Sequence, residues 1–263
     1  MIEGKEFYSV KKKHATEFKK YLSDYADTGN YIKNFFSEEE RIEAFNLNRV
    51  PTPDILGRKS SIHKVTDFKF SSHLHNKIIP KLFPEEDSDN FAIDGMCLLD
   101  LFEPTKPHID GYYPVTENYY IIKICIIPVA FETEQEKVDD IETTFITFEQ
   151  HYNEYVRGGI EVDQAMERGT LPDTWHDMYG NILPEHSNSF IPKDSPKEDF
   201  RHVVYQFDGK LQYGLTIQNK YDMKLGDLAT INPYQMHMTK DYALSPIDGK
   251  WVFRFSILRK KYE

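Results

Sequence analysis

Three short stretches of this chain carry residue types whose spacing could do chemistry together. The first is Pro107-His108-Ile109-Asp110. In an extended segment, residues two apart point to the same face, so His108 and Asp110 can converge on one point. An imidazole and a carboxylate reaching one ion suit iron(II), manganese or zinc. The second is Leu225-Gly226-Asp227-Leu228 followed by ATINPYQMH, ending at His237. Here a turn at Gly226-Asp227 is expected to launch a strand whose end presents His237. Two histidines and one aspartate on one face of an ion leave the opposite positions open to other ligands. The third is the strand-like run Trp251 to Leu258, WVFRFSIL. Its alternation places Arg254 and Ser256 on one face and Phe253, Phe255 and Ile257 on the other.

Each piece has a plain reading beside the chemical one. With ten histidines in the chain, a His-x-Asp triplet arises about once by chance and commonly serves a surface turn. A guanidinium within an apolar strand is expensive unless something compensates it. An exposed strand face would do so, and so would a dicarboxylate gripped bidentately by Arg254 and hydrogen-bonded by the Ser256 hydroxyl.

Taken in order, His108-Ile109-Asp110, His237 and Arg254-Phe255-Ser256 resemble the signature of the iron(II)- and 2-oxoglutarate-dependent oxygenase superfamily. The stretch YGLTIQNKYDMKLGDLATINPYQMH, closing with the RFS strand, is similar in texture to a subset of these enzymes found in marine bacteriophages. The resemblance covers about residues 91–258. It implies a double-stranded β-helix (jelly-roll) fold. It implies iron(II) held by His108, Asp110 and His237, with 2-oxoglutarate as cosubstrate at Arg254 and Ser256. It also implies oxygen (O2) as oxidant and usually hydroxylation, with release of succinate and carbon dioxide. Asp110 and His237 lie 127 residues apart, wider than in many relatives, and Arg254 follows His237 by 17 residues, also more than is common.

Two other classes compete. A cupin-like metalloenzyme working without keto acid commonly uses a close His-x-His with a following Glu, which is absent around residues 100–125. A non-catalytic jelly-roll binding module would use the acidic stretch after residue 132 as an interaction surface.

The elements that must position these groups follow from texture. AIDGMCLLDLF, NYYIIKICIIPVAF, TTFITF, HVVYQF, LQYGLTI, DLATINPY and WVFRFSILRK are rich in β-branched and aromatic residues and separated by turn signals. They predict a mainly β core of two facing sheets over residues 91–263. Residues 1–90 lean helical, and the expected helices are ATEFKKYLSDYA and DFKFSSHLHNKIIPKLF, the latter ended or kinked by Pro80. The stretch from about 132 to 197 reads as an acidic, turn-rich insertion or lid, with one short helix near GIEVDQAMERG.

Other groups are weighed and set aside. Lys123, in YYIIKICIIPV, is expected at an edge or pointing outward. Trp175-His176-Asp177 and His186 fall in the insertion, where loop histidines are usually solvated. His73 and His75 sit in an expected helix, where they point apart. His14, His63, His151 and His202 have no convergent partner in sequence, and Tyr119 and Tyr120 read as wall. No Gly-rich phosphate loop, Cys-x-x-Cys pair or nucleophile elbow is present.

Composition bounds the rest. The 263 residues are 40% apolar and 14% aromatic, with 18 Phe and 17 Tyr, ample for one packed domain with attachments. Net charge is −11, from 43 acids against 32 bases, which disfavours a long nucleic-acid duplex as partner. The two cysteines, Cys97 and Cys125, both lie in apolar runs and fit a reducing interior. The first residues hold no signal-peptide core, and the longest apolar run carries a lysine and falls short of the roughly 20 residues of a membrane span. A soluble, cytoplasmic protein is expected, acting on a small molecule or a side chain.

Overall fold

The computed structural model describes residues 29–52, 61–105, 118–151, 175–176, 182–183, 191–192, 213–215, 217–232 and 235–261. Its organising element is the last strand, where the alternation of WVFRFSIL becomes two inward-packed faces. Seven antiparallel strands form the larger sheet. In chain order they are β1 (Tyr31–Ile32), β2 (Arg49–Thr52), β3 (Ser61–Val65), β4 (Phe91–Leu101), β5 (Tyr119–Glu132), β12 (Leu228–Ile231) and β14 (Gly249–Lys260). Their spatial order is β1-β12-β5-β14-β4-β3-β2. The smaller sheet runs β11-β6-β7-β8, with β13 also paired to β6. It comprises β6 (Thr143–His151), β7 (Trp175–His176), β8 (Ile182–Leu183), β11 (Ile217–Met223) and β13 (Gln235–Thr239). A further parallel pair joins β9 (Ile191–Pro192) to β10 (Tyr213–Leu215).

One face of the larger sheet is covered by helices α1 (Glu38–Asn46) and α2 (Phe68–Leu82). Phe70, Leu74 and Ile78 of α2 recur every four residues, so they form one stripe. That stripe packs with Leu98, Cys125, Ile127, Phe253, Phe255 and Ile257 in a single buried cluster. Asp67 caps α2 by accepting from the Phe70 N–H at 2.8 Å. Pro80 falls in its last turn, where the helix ends two residues later. Helix α1 begins with a reciprocal capping box between Ser37 and Glu40.

The opposite face of the larger sheet looks at the smaller one. Ile121, Ile124, Ala229, Ile231 and Leu258 pack there against Phe145 of β6 and Met223 of β11. Fully burying side chains of this size stabilises by about 1.5–3 kcal/mol each, before the ordering entropy is counted. The expected pair of facing sheets is therefore observed among the described residues.

Several expectations change in detail. Three strands come from the first ninety residues, which had read as helical. All are short, and β1 and β2 lack the long β-branched runs that mark a strand in sequence. The expected strand TTFITF is present as β6; it lies within the interval 132–197 and pairs with both β11 and β13. His237 does not end the strand that follows Gly226-Asp227. That strand, β12, stops at Ile231 in the larger sheet, and His237 sits in mid-strand on β13 in the smaller one. Between them a turn bond runs from the Gln235 N–H to the Asn232 carbonyl at 2.9 Å. The expected elements ATEFKKYLSDYA, HVVYQF and GIEVDQAMERG lie outside the described residues. No helix among the described residues is long and apolar enough to cross a membrane.

Candidate functional site

Register decides which side chains share the space between the sheets. Residues directly opposite in an antiparallel ladder point to the same face. Arg254 lies opposite Ile126 and Ser256 opposite Ile124. Ile124 belongs to the inter-sheet cluster, with Ile126 packed against it, so Arg254 and Ser256 face the smaller sheet. Ser256 is buried, and Arg254 is half-buried. The sequence reading of the RFS strand is correct in its faces: Phe253, Phe255 and Ile257 turn to the helices.

From the other side, His237 lies opposite Thr147 and Thr239 opposite Phe145 on β6. Phe145 packs in the same inter-sheet cluster, so His237 and Thr239 also face inward. His237 is 2% exposed, with its ring centroid 5.4 Å from that of Phe145. Its Nδ1 stands 2.9 Å from the Gln235 carbonyl. A carbonyl only accepts, so Nδ1 carries the proton and, in the neutral ring, the lone pair is on Nε2. That tautomer is the one an Nε2-bound metal requires. Gln235 is itself tied by its side chain to Gln218 of β11. The structure thus turns His237, Arg254 and Ser256 into the layer between the two sheets.

His108 and Asp110 lie outside the described residues. The segment that leads to them is described as far as Thr105. There the Thr105 N–H donates to the Thr239 hydroxyl at 2.7 Å, and the Thr239 N–H donates to the Thr105 carbonyl at 3.1 Å. Among the described residues no group of three or more His, Cys, Asp or Glu could hold a metal ion.

The larger sheet also bends beside Arg254. Residues Gly95 and Met96 of β4 stand opposite the single residue Phe255, because the ladder passes from Arg254–Cys97 to Ser256–Asp94. Gly95 has φ +62°, which glycine adopts without strain.

Two buried cations were misjudged or missed. Lys123, expected outward, is 2% exposed on β5, between β12 and β14. It and Arg254 both lie close enough to favour the thiolate of Cys125, yet burial dominates and pushes that thiol far above its ordinary range. Lys250 was not singled out. It is 4% exposed, on the same face of β14 as Arg254, and its Nζ lies 5.5 Å from the Tyr242 ring centroid. Burial pushes its ammonium down to about 7. The parity of Lys250 with Arg254 in GKWVFRFS was the available signal.

Of the other groups set aside, His73 and His75 point apart as expected. His73 bonds Glu40 at 2.7 Å, while His75 turns to the carbonyls of Ser88 and Phe91. His63 contacts Ser61 and the Trp251 ring. Cys97 and Cys125 are buried and form no disulfide; Cys97 lies opposite Arg254 and Cys125 opposite Phe255, hence on opposite faces of the sheet. Asp177, His14, His186 and His202 lie outside the described residues.

No family model and no curated protein matches this sequence. Solved structures with a similar arrangement include the epimerase SnoN in complex with Fe3+, alpha-ketoglutarate and nogalamycin RO. That match has 10% identity and a TM-score of 0.39, covering 95% of this chain and 84% of that one. An oxidoreductase of the 2OG-Fe(II) oxygenase family from Burkholderia pseudomallei has 7% identity and a TM-score of 0.41, covering 94% and 90%. HygX from Streptomyces hygroscopicus, with nickel and 2-oxoglutarate bound, has 11% identity and a TM-score of 0.39, covering 92% and 86%.

Proposed function

We propose that this protein is an iron(II)- and 2-oxoglutarate-dependent oxygenase built on a double-stranded β-helix. In this reading His108, Asp110 and His237 hold the metal, and Arg254 and Ser256 bind the cosubstrate. The reaction is hydroxylation of a small molecule or a side chain, with release of succinate and carbon dioxide. The observation that carries the reading is the shared layer: a buried histidine of the required tautomer on one sheet, and an Arg–Ser pair facing it from the other. The donor chemistry fits, because two imidazoles and one carboxylate suit iron(II) and leave positions open.

Iron(II), when bound, supplies the open positions at which a keto acid and oxygen can react. The chain's own residues do the rest. The Gln235 carbonyl fixes the His237 ring so that Nε2 is the ligating atom. Arg254 offers a planar fork for the far carboxylate of the cosubstrate, and Ser256 adds a hydroxyl donor two residues along the same face. Phe145, Ile124 and Leu258 keep this layer apolar, which excludes water and strengthens the Arg–carboxylate attraction. The first ninety residues act as support, since their described part adds strands to both edges of the larger sheet and helices to its outer face. The acidic net charge favours a compact substrate over a long duplex.

The direct test is release of succinate from 2-oxoglutarate by the full chain with added iron(II) and oxygen, even without a known substrate. Turnover that disappears in His237→Ala supports the reading. A folded, iron-loaded protein that makes no succinate, while retaining metal in His237→Ala, overturns it and favours a binding module.

A further inference from the structure

We propose that Thr239 is a positioning residue for the metal centre, tying the segment that enters His108 and Asp110 to the strand that presents His237. The proposal rests on the oxygenase reading above. Thr239 is 3% exposed and faces into the space between the sheets. Its hydroxyl accepts the Thr105 N–H at 2.7 Å, its own N–H donates to the Thr105 carbonyl at 3.1 Å, and the two hydroxyls stand 3.3 Å apart. This contact joins points 134 residues apart in sequence.

Its place in the chain gives it a consequence for ligand geometry. His108 follows Thr105 by three residues in sequence. His237 precedes Thr239 by two residues, about 7 Å along a strand. The described stretches that lead to the two halves of the proposed ligand set therefore meet at one hydrogen-bonded junction. A backbone ladder alone would supply only one of these bonds. The threonine hydroxyl supplies the second and satisfies an amide that would otherwise lose its acceptor. Groups that orient ligands without touching the metal typically change its affinity by 10–100-fold when removed.

The test uses the full chain and metal binding rather than turnover. Titrate cobalt(II) alone, followed by its visible absorption, and then iron(II) without oxygen, into the wild type, Thr239→Val, Thr239→Ser, Thr239→Cys and His237→Ala. Thr239→Val keeps the shape and removes the acceptor, and metal affinity is expected to fall about tenfold. Thr239→Ser restores the acceptor and should return affinity to within about threefold of wild type. Thr239→Cys, near in size with a weak acceptor, should fall between them and reports on the same bond if the valine variant does not fold. Metal binding by Thr239→Val or Thr239→Cys equal to wild type, with His237→Ala abolished, overturns the role of Thr239 and leaves the site reading standing. Wild-type affinity in His237→Ala overturns the site reading and this proposal with it.

Discussion

Lys250 and Tyr242 face one another inside the end of the sandwich, with the lysine Nζ 5.5 Å from the ring centroid and both residues buried. The ring attracts a cation, but the tyrosine offers no negative charge to replace lost water. Ile141 and Ile247 pack with Tyr242, and Phe131 completes an apolar cluster around it. Burial alone lowers the ammonium from 10.5 to about 7. Between pH 7 and about 10.5 the unfolded chain holds this proton and the folded chain does not. Stability then rises with pH across that window, and below it the full cost of burying the charge is present. At 1.36 kcal/mol per pH unit that cost is at most about 5 kcal/mol. Lys250→Met is therefore expected to stabilise the protein by about 2 kcal/mol or more at pH 6.5, with the gain shrinking toward pH 10. Urea midpoints across that range measure it; a gain independent of pH would refute the assignment.

Asp227 closes the turn that feeds β12. Its carboxylate accepts from the Tyr31 hydroxyl at 2.6 Å, the Asn34 N–H at 2.8 Å and the Lys224 N–H at 2.9 Å. Beside it, Gly226 has φ +85°, and a Cβ there would meet the Phe36 carbonyl oxygen at 2.5 Å. Asp227→Ala should cost about 2–4 kcal/mol, since several donors lose a charged acceptor at once. Gly226→Ala should be comparably damaging, because both strain and collision oppose it. Denaturant unfolding of the two variants checks this, and a loss under 0.5 kcal/mol in either would show that the turn is not fixed as described.

What the sequence made legible was what period and side-chain chemistry encode locally. The alternation of WVFRFSIL specified both faces of β14, and the helical pattern of DFKFSSHLHNKIIPKLF specified α2. The capping signal Ser37-Glu38-Glu39-Glu40 was present but unread, and it starts α1. Lys123 was misplaced because a single lysine in an apolar run does not say whether its strand is central; that depends on β12 and β14, which come about a hundred residues later. His237 was placed at a strand end because the sequence does not reveal that the chain changes sheets between Ile231 and Gln235. The junction of Thr105 with Thr239 is wholly tertiary, and no local pattern encodes it.

Gly95 tests whether the bulge beside Arg254 sets the position of that side chain. With φ +62°, a Gly95→Ala substitution should cost about 1–2 kcal/mol through backbone strain, since the added Cβ meets only the Ser256 Oγ at an ordinary 3.7 Å. If the bulge aims the RFS face, the variant should also weaken 2-oxoglutarate binding a few-fold. Strand straightening without any change in cosubstrate affinity would separate the bulge from the site.

Arg254 is the sharpest test of the cosubstrate assignment, because its role and that of His237 predict opposite patterns. Removing the guanidinium takes away the bidentate partner of the far carboxylate but leaves every proposed metal ligand in place. Arg254→Ala is therefore expected to raise the 2-oxoglutarate dissociation constant by at least about 100-fold, roughly 2.7 kcal/mol, while iron(II) affinity stays within a few-fold of wild type. Arg254→Lys should recover only part of the loss, since an ammonium cannot reproduce the fork. Ser256→Ala should cost about tenfold or less, the worth of one hydroxyl to a charged acceptor. Calorimetric titration of the keto acid into the metal-loaded variants reads all three, and unchanged affinity in Arg254→Ala would remove this residue from the site while leaving the histidine assignments open to their own test.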